Sequence, residues 1–205
     1  MSLASIHRET ETQTRLAELE QRNQTLEAEN QQLRVYKDYV YTDVLTEIPN
    51  RRFYHERLVQ EMARARRGQN PLGLALVDLD FFKDINDQVG HRAGDQVLKF
   101  FSQFLRVNLR QEDVLCRIGG DEFSVILPDT DAEHAQVFFD RVKTKLDRID
   151  MSLDSQANIN LSFSCGIATF SSEQTPEDFI EQATTLSTRR RPEVETRLLP
   201  PTTTR

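Results

Sequence analysis

At 205 residues the chain is long enough for one domain of about 150 residues plus an extension. Its 33 acidic against 26 basic side chains give a formal net charge of −7, which argues against a grip on nucleic acid through phosphates; a polyanionic substrate needs a local basic or metal-bearing site instead. The longest apolar runs, such as Leu74-Ala75-Leu76-Val77, are too short to span a bilayer, and the start MSLASIHRETE lacks the apolar stretch of a signal peptide, so the expectation is a cytoplasmic protein.

In chain order, residues 7 to about 42 carry no Gly or Pro and set Leu19, Leu26, Leu33 and Val40 seven residues apart, a heptad d series. The a positions are then Leu16, Asn23, Asn30 and Lys37, and asparagine at a favours parallel, in-register, two-stranded coils. In that pairing each g position faces the partner's e position five residues later: Arg15 meets Glu20, Arg22 meets Glu27, and Glu29 meets Arg34, all opposite in sign. A solvated single helix has no reason to satisfy all three patterns at once. Residues 1–42 are therefore expected to form a coiled-coil stalk that makes a homodimer. At ~1.5 Å per residue it is a rod of roughly 50 Å, long enough for a regulatory protein to dock on it as well.

After Asp43-Val44-Leu45-Thr46 and the Pro49-Asn50 break, residues 51 to about 67 read as a helix ended by Gly68-Gln69-Asn70-Pro71. Then come a strand (72–79), a helix (94–109), a hairpin (114–127), a helix (132–147), a strand (159–168) and a helix (175–187). That β-α-β-β-α-β order predicts an α+β, two-layer, ferredoxin-like fold with extra elements, preceded by the long coiled-coil helix. Cys116 and Cys165 fall inside apparent strands and read as buried small hydrophobes, and the four histidines are scattered without zinc spacing. The end, Pro200-Pro201-Thr202-Thr203-Thr204-Arg205, reads as disordered.

Gly119-Gly120, between Val114-Leu115-Cys116 and Phe123-Ser124-Val125-Ile126-Leu127, reads as a tight hairpin because glycine tolerates positive φ. Asp121 and Glu122 then sit at its tip. The first strand ends in Asp78 and Asp80, which alternation puts on one face. In this fold the first strand is expected beside the hairpin's first strand, bringing Asp78 near the tip. Three converging carboxylates repel one another unless a cation holds them, and hard oxygen ligands suit Mg²⁺. An ordinary acidic turn is the competing reading.

Phe82-Lys83-Asp84-Ile85-Asn86-Asp87, Gly90-His91-Arg92-Ala93-Gly94-Asp95 and Gly119-Gly120-Asp121-Glu122-Phe123, in that order, resemble the GGDEF family of diguanylate cyclases. Asp43-Val44-Leu45-Thr46 with Pro49-Asn50-Arg51-Arg52 is similar to that family's opening motif, and Ser164-Cys165-Gly166-Ile167-Ala168 to its last core strand, so the likeness runs over roughly residues 43 to 170. The resemblance implies that two GTP molecules become 3′,5′-linked cyclic di-GMP, a bacterial second messenger associated with biofilm formation, with release of two pyrophosphates where two domains face each other. It implies a catalytic domain over 43–190 and a divergent tail over 191–205. It implies Mg²⁺ or Mn²⁺ held by Asp78, the Leu79 carbonyl and Asp121, with Glu122 as a further ligand or charged neighbour. Asn86 and Asp95 would meet the guanine edge, Phe82 and Lys83 would border the phosphates, His91 would line the nucleotide pocket, and Gly119 and Gly120 would lie beside it. Attack of a ribose 3′-hydroxyl on the α-phosphorus builds charge on oxygens, which a metal and Lys83 stabilise. The family gives the proton-accepting role to Asp121, with Glu122 beside it. Guanine's N1–H and N2–H₂ are donors that a carboxylate such as Asp95 accepts, which selects GTP.

Arg110-Gln111-Glu112-Asp113, beginning nine positions before Gly119, matches the family's Arg-x-x-Asp product-inhibition motif. Two features depart from the family. Its last helix usually continues with a Lys and a following Gly-Arg that reach the phosphates, where this chain has Ser187-Thr188-Arg189-Arg190-Arg191-Pro192. A glycine of the opening motif is replaced by Glu47, with little effect expected. A non-catalytic receptor that binds cyclic di-GMP through Arg110 and Asp113, or a scaffold acting through its stalk, are the alternatives. The intact Gly-Gly-Asp-Glu-Phe favours catalysis, because relics lose those acids first.

Overall fold

Without Gly or Pro to interrupt it, the N-terminal segment forms one helix, α1 (Leu3–Tyr41). The computed structural model of the protein describes residues 3–149, 151–152 and 158–188. Within α1 the side chains of Arg34 and Lys37 lie outside the described residues. Leu16, Leu19, Leu26 and Leu33 are 45–56% exposed, so one chain alone does not cover the heptad stripe. The chain divides into two compact units, Met1–Tyr41 and Thr42–Arg205.

In the second unit, α2 (Arg51–Gly68) starts where the Asn50 side chain accepts hydrogen bonds from the amides of Arg52 and Phe53. It leads into β1 (Leu72–Leu79), followed by α3 (Phe82–Val89), α4 (His91–Asn108), β2 (Val114–Arg117), β3 (Glu122–Pro128) and α5 (Ala132–Leu146). A small ribbon of β4 (Met151–Ser152) and β5 (Asn158–Ile159) precedes β6 (Phe163–Thr169) and α6 (Pro176–Thr188). The main sheet is antiparallel, in the order β2-β3-β1-β6. This is the α+β, ferredoxin-like arrangement, in which β1 and β3 fill the centre.

Strand alternation gives each face of the sheet its own core. Ala75, Val77 and Leu79 of β1 join Phe123, Val125 and Phe163 against Val97, Phe101 and Leu105 of α4 and Phe139 and Val142 of α5. Phe101 lies edge-on to Phe123 at 5.3 Å between centroids and tilted against Phe163 at 5.5 Å. The even residues Leu72 and Leu74 join Cys116, Ile126 and Ala168 under Tyr54, Leu58 and Met62 of α2 and Phe179 and Ala183 of α6. The helices α2 and α6 are thus the extra elements, and the acids at the end of β1 prolong the face they cover.

Three local expectations change. The helix expected over 94–109 is α4, which starts three residues earlier at His91, and it is preceded by a short helix the sequence reading did not expect, α3; the two are separated at Gly90, whose φ of +87° no side-chain-bearing residue adopts cheaply. The last core strand starts at Phe163, four residues later than expected. The first strand pairs with the hairpin's second strand, β3, and not with its first. Among the described residues no helix is long and apolar enough to cross a membrane.

Candidate active site

Near the end of β1, Asp78 stands in register opposite Glu122 of β3 on one side and Ser164 of β6 on the other. Directly opposed residues of antiparallel strands place their Cβ atoms about 4.5–5.5 Å apart on the same face, where two carboxylates repel. The Leu79 amide donates to the Asp121 carbonyl at 3.2 Å, tying the hairpin to the last residue of β1. These groups open onto a cleft of about 430 Å³ shared with Asp80 and with Phe82 and Lys83 from the first turn of α3. The donors are all oxygens, carboxylate and peptide, and a divalent cation would convert the Asp78–Glu122 repulsion into attraction, so the residues fit Mg²⁺ or Mn²⁺. Among the described residues no three carboxylate, imidazole or thiol groups gather into a cage of their own. A cation here would complete its shell with peptide, water and phosphate oxygens.

The two glycines work differently from the sequence expectation, because neither has a positive φ. A Cβ on Gly119 would collide with Glu122 Oε2, so this glycine makes room for the acid's own side chain. Around Gly120 the space is open, which lets a ligand approach the backbone. The turn is held from behind by Arg117, which sequence reasoning passed over. Its Nε and Nη2 donate to the Gly120 carbonyl at 3.1 and 2.7 Å, while Nη1 donates to Asp43 Oδ1 at 2.9 Å. The same Asp43 oxygen accepts from the Thr46 amide at 2.9 Å and hydroxyl at 2.6 Å, and the Arg117 amide donates to the Pro49 carbonyl at 2.8 Å. Burial works to raise the Asp43 carboxyl, but the hydrogen bonds from Thr46 and Arg117 outweigh it and hold the group below the usual carboxylate range. An arginine between an apolar strand and a glycine turn was the available signal.

Asn86, His91 and Asp95 are not among the residues that line this cleft; further along α3, Asn86 packs its carboxamide where a Cβ on Gly94 of α4 would sit, and Phe82 Cζ lies 3.2 Å from the same point. Gly94 therefore seats Asn86 beside the backbone that carries Asp95, a second contribution the sequence reading missed. Asp95, His91 and Lys83 are exposed, and Phe82 is half-buried. Asp80 shares the face of Asp78, as alternation requires, but it turns to β6 and accepts from the Ser162 and Ser164 hydroxyls.

A profile of the family described as "Diguanylate cyclase, GGDEF domain" matches residues 40–194. The chain belongs to the GGDEF family. It is 40% identical over 142 residues to the diguanylate cyclase DgcP of Pseudomonas aeruginosa, covering 69% of this chain and 21% of DgcP. To the diguanylate cyclase DosC of Escherichia coli it is 34% identical over 149 residues, covering 73% of this chain and 32% of DosC. The chain thus spans between about a fifth and a third of the length of these curated relatives. The crystal structure of the diguanylate cyclase SiaD in complex with its activator SiaC, from Pseudomonas aeruginosa, superposes with a TM-score of 0.75 at 28% identity, covering 91% of this chain and 72% of that one.

On this GGDEF domain a second cavity, of about 190 Å³, is lined by Arg110, Asp113, Asp131, His134 and Phe138 among others. Arg110 and Asp113 are joined through the backbone: the Arg110 amide donates to Asp113 Oδ2 at 2.8 Å. Asp113 Oδ1 is buried without a hydrogen-bond partner among the described residues, and burial pushes the carboxyl up despite the Arg110 amide and charge. Such an oxygen gains from any donor brought to it. Where the GGDEF family's last helix usually carries Lys and Gly-Arg, Arg189–Arg191 and Pro192 lie outside the described residues, as does the end Pro200–Arg205. Glu47 takes the glycine position of the opening motif with φ +59°, so the replacement leaves the backbone in a left-handed conformation that glycine adopts without strain.

Proposed function

We propose that the protein is a diguanylate cyclase that condenses two GTP into cyclic di-GMP and two pyrophosphates where two GGDEF domains face each other. The observation that carries this reading is the in-register pair Asp78–Glu122 at the open end of the sheet, with Leu79 hydrogen-bonded to Asp121 beside it. Asp78, the Leu79 carbonyl, Asp121 and Glu122 would hold Mg²⁺ or Mn²⁺. When bound, the cation neutralises charge on the phosphate oxygens and lowers the pKa of the attacking hydroxyl. Asp121 accepts the ribose 3′-hydroxyl proton. Lys83, exposed on the first turn of α3, meets the phosphates as negative charge builds in the transition state, and Phe82 closes the cleft beside it. Asp95 accepts from the N1–H and N2–H₂ of guanine and Asn86 hydrogen-bonds the same base through its carboxamide, His91 borders the base, and open space at Gly120 admits the triphosphate.

The stalk brings two such domains together through Leu16, Leu19, Asn23, Leu26, Asn30, Leu33 and Val40, giving three parts: stalk 1–42, catalytic domain 43–190 and tail 191–205. SiaD is complexed with its activator, and the likeness to it supports a protein partner for this chain as well. Cyclic di-GMP feeds back at the second cavity, with the Arg110 guanidinium on guanine or phosphate and Asp113 Oδ1 receiving a donor from the base. Incubation with GTP and Mg²⁺ followed by mass spectrometry should detect cyclic di-GMP, and Asp121→Ala should abolish it while circular dichroism stays unchanged. Undiminished product from Asp121→Ala would refute the assignment.

A further inference from the structure

Of the acids that line the cleft, Asp80 and Asp84 are left over by this chemistry, and of these two only Asp80 is buried. Asp80 is 8% exposed and stands beside Asp78 and Asp121, yet both of its oxygens are engaged away from the hairpin. Ser164 Oγ donates to Oδ1 at 2.6 Å and Ser162 Oγ to Oδ2 at 2.9 Å. The Asp80 amide donates to the Ser162 carbonyl at 3.0 Å, making a third bond to the segment that becomes β6. One residue earlier the Leu79 amide goes the other way, to Asp121. Successive peptide groups of an extended chain point to opposite sides, so the Leu79 carbonyl faces the hairpin while Asp80 is fastened on the β6 side.

The next residue explains why such fastening is needed. Phe81 has φ +58°, a left-handed conformation that an aromatic residue adopts only when its surroundings impose it. This bend turns the chain from β1 into α3 and sets where Phe82 and Lys83 enter the cleft. If Asp80 were released, Phe81 could relax, and the Leu79 carbonyl and the first turn of α3 would lose their fixed directions.

The geometry points to Asp80 as a positioning residue that, with Ser162 and Ser164, pre-sets the Leu79 carbonyl and the start of α3 for a divalent cation and the phosphates it accompanies. The identity of that cation rests on the diguanylate cyclase reading; the clamp itself does not. Two other roles compete with it. Asp80 could ligate the cation through its charge, or it could serve folding alone. Substitution by asparagine separates these, because the carboxamide oxygen accepts from Ser164 and its NH₂ donates to the Ser162 hydroxyl, preserving both bonds without the charge.

The test is Mn²⁺ binding by the full chain, followed by electron paramagnetic resonance in the presence of 3′-deoxy-GTP, which lacks the attacking hydroxyl and is not consumed. Asp80→Asn should bind Mn²⁺ within about threefold of the wild type, whereas Asp80→Ala should bind roughly tenfold or more weakly. Ser162→Ala and Ser164→Ala, each removing one bond, should fall between these and keep the question answerable if Asp80→Ala does not fold. Asparagine as damaging as alanine would make Asp80 a charged ligand and overturn the inference. Alanine and serine variants that fold and bind Mn²⁺ like the wild type would also overturn it, leaving the clamp a folding device. A wild-type protein that binds no Mn²⁺ would overturn both this inference and the cyclase reading, so the two failures are distinguishable.

Discussion

Glu47 and Arg110 are the residues whose substitution separates backbone conformation from side-chain chemistry most cleanly. Glu47 is exposed, its amide donates to the Asp43 carbonyl at 2.9 Å, and its φ is +59°. Glycine would keep the turn and remove a left-handed penalty of about 1 kcal/mol, partly offset by glycine's greater freedom when unfolded. Glu47→Gly should therefore raise the melting temperature by roughly 1–3 °C in calorimetry, with catalytic rate unchanged. Arg110→Ala keeps the bond to Asp113, because the donor is the Arg110 amide and not the guanidinium. The loop should hold, initial rates should stay near normal, and inhibition by added cyclic di-GMP should weaken by roughly tenfold to a hundredfold, as expected for losing a charged contact of about 1.5–3 kcal/mol. An unchanged inhibition curve would make the Arg-x-x-Asp stretch a loop and nothing more.

At the scale of the elements, the contact of α2 with the sheet carries a pH dependence of its own. Burial pushes the Cys116 thiol from its ordinary 9.0 up to about 12, with a small opposing effect from the Ser124 hydroxyl. Burial also pushes the Tyr54 phenol, whose hydroxyl has no hydrogen-bond partner among the described residues, well above its ordinary 10.0. Both groups keep their protons in the folded state after the unfolded chain has lost them. The unfolded state then binds fewer protons, so stability declines as the pH rises above about 9 for Cys116, towards 12, and above about 10 for Tyr54, by up to about 1.4 kcal/mol per pH unit for each group. Urea midpoints measured from pH 8 to 11 should fall, and Tyr54→Phe and Cys116→Ala should each flatten the decline. The elements themselves were legible to unequal degrees. β1, the hairpin, α2, α5 and α6 announce themselves through apolar period and through breakers such as Gly68 to Pro71. α3 does not, because its eight residues carry only Phe82, Ile85 and Val89 as apolar positions among charged and amide side chains. The carboxylates and the pair proposed for the guanine edge were readable as motifs. Arg117, Gly94 and the Asp80 clamp were not, since what defines them is a neighbour distant in sequence: Arg117 reaches Asp43 across 74 positions, and Asp80 reaches Ser164 across 84.

For the whole molecule, the proposed reaction needs two domains, and the exposed leucine stripe of α1 is the proposed means of pairing them. Removal of residues 1–40 should give a monomer in analytical ultracentrifugation, with specific activity that drops steeply on dilution. An unrelated parallel zipper fused in the same heptad phase should restore the activity, and a four-residue insertion near Lys37 should restore less of it, because it rotates the domain about the helix axis. A truncated monomer as active as the full chain at submicromolar concentration would remove the stalk from the mechanism.

The Arg117 guanidinium has a consequence for modularity. Its partners, the Asp43 carboxylate and the Gly120 carbonyl, both belong to the unit that begins at Thr42. A foreign input module spliced upstream of Thr42 would inherit this latch intact, whereas a junction drawn between Asp43 and Thr46 would cut the turn that closes it. The usable seam for transplanting the domain is therefore narrower than the boundary of α1 suggests, and it ends before Asp43.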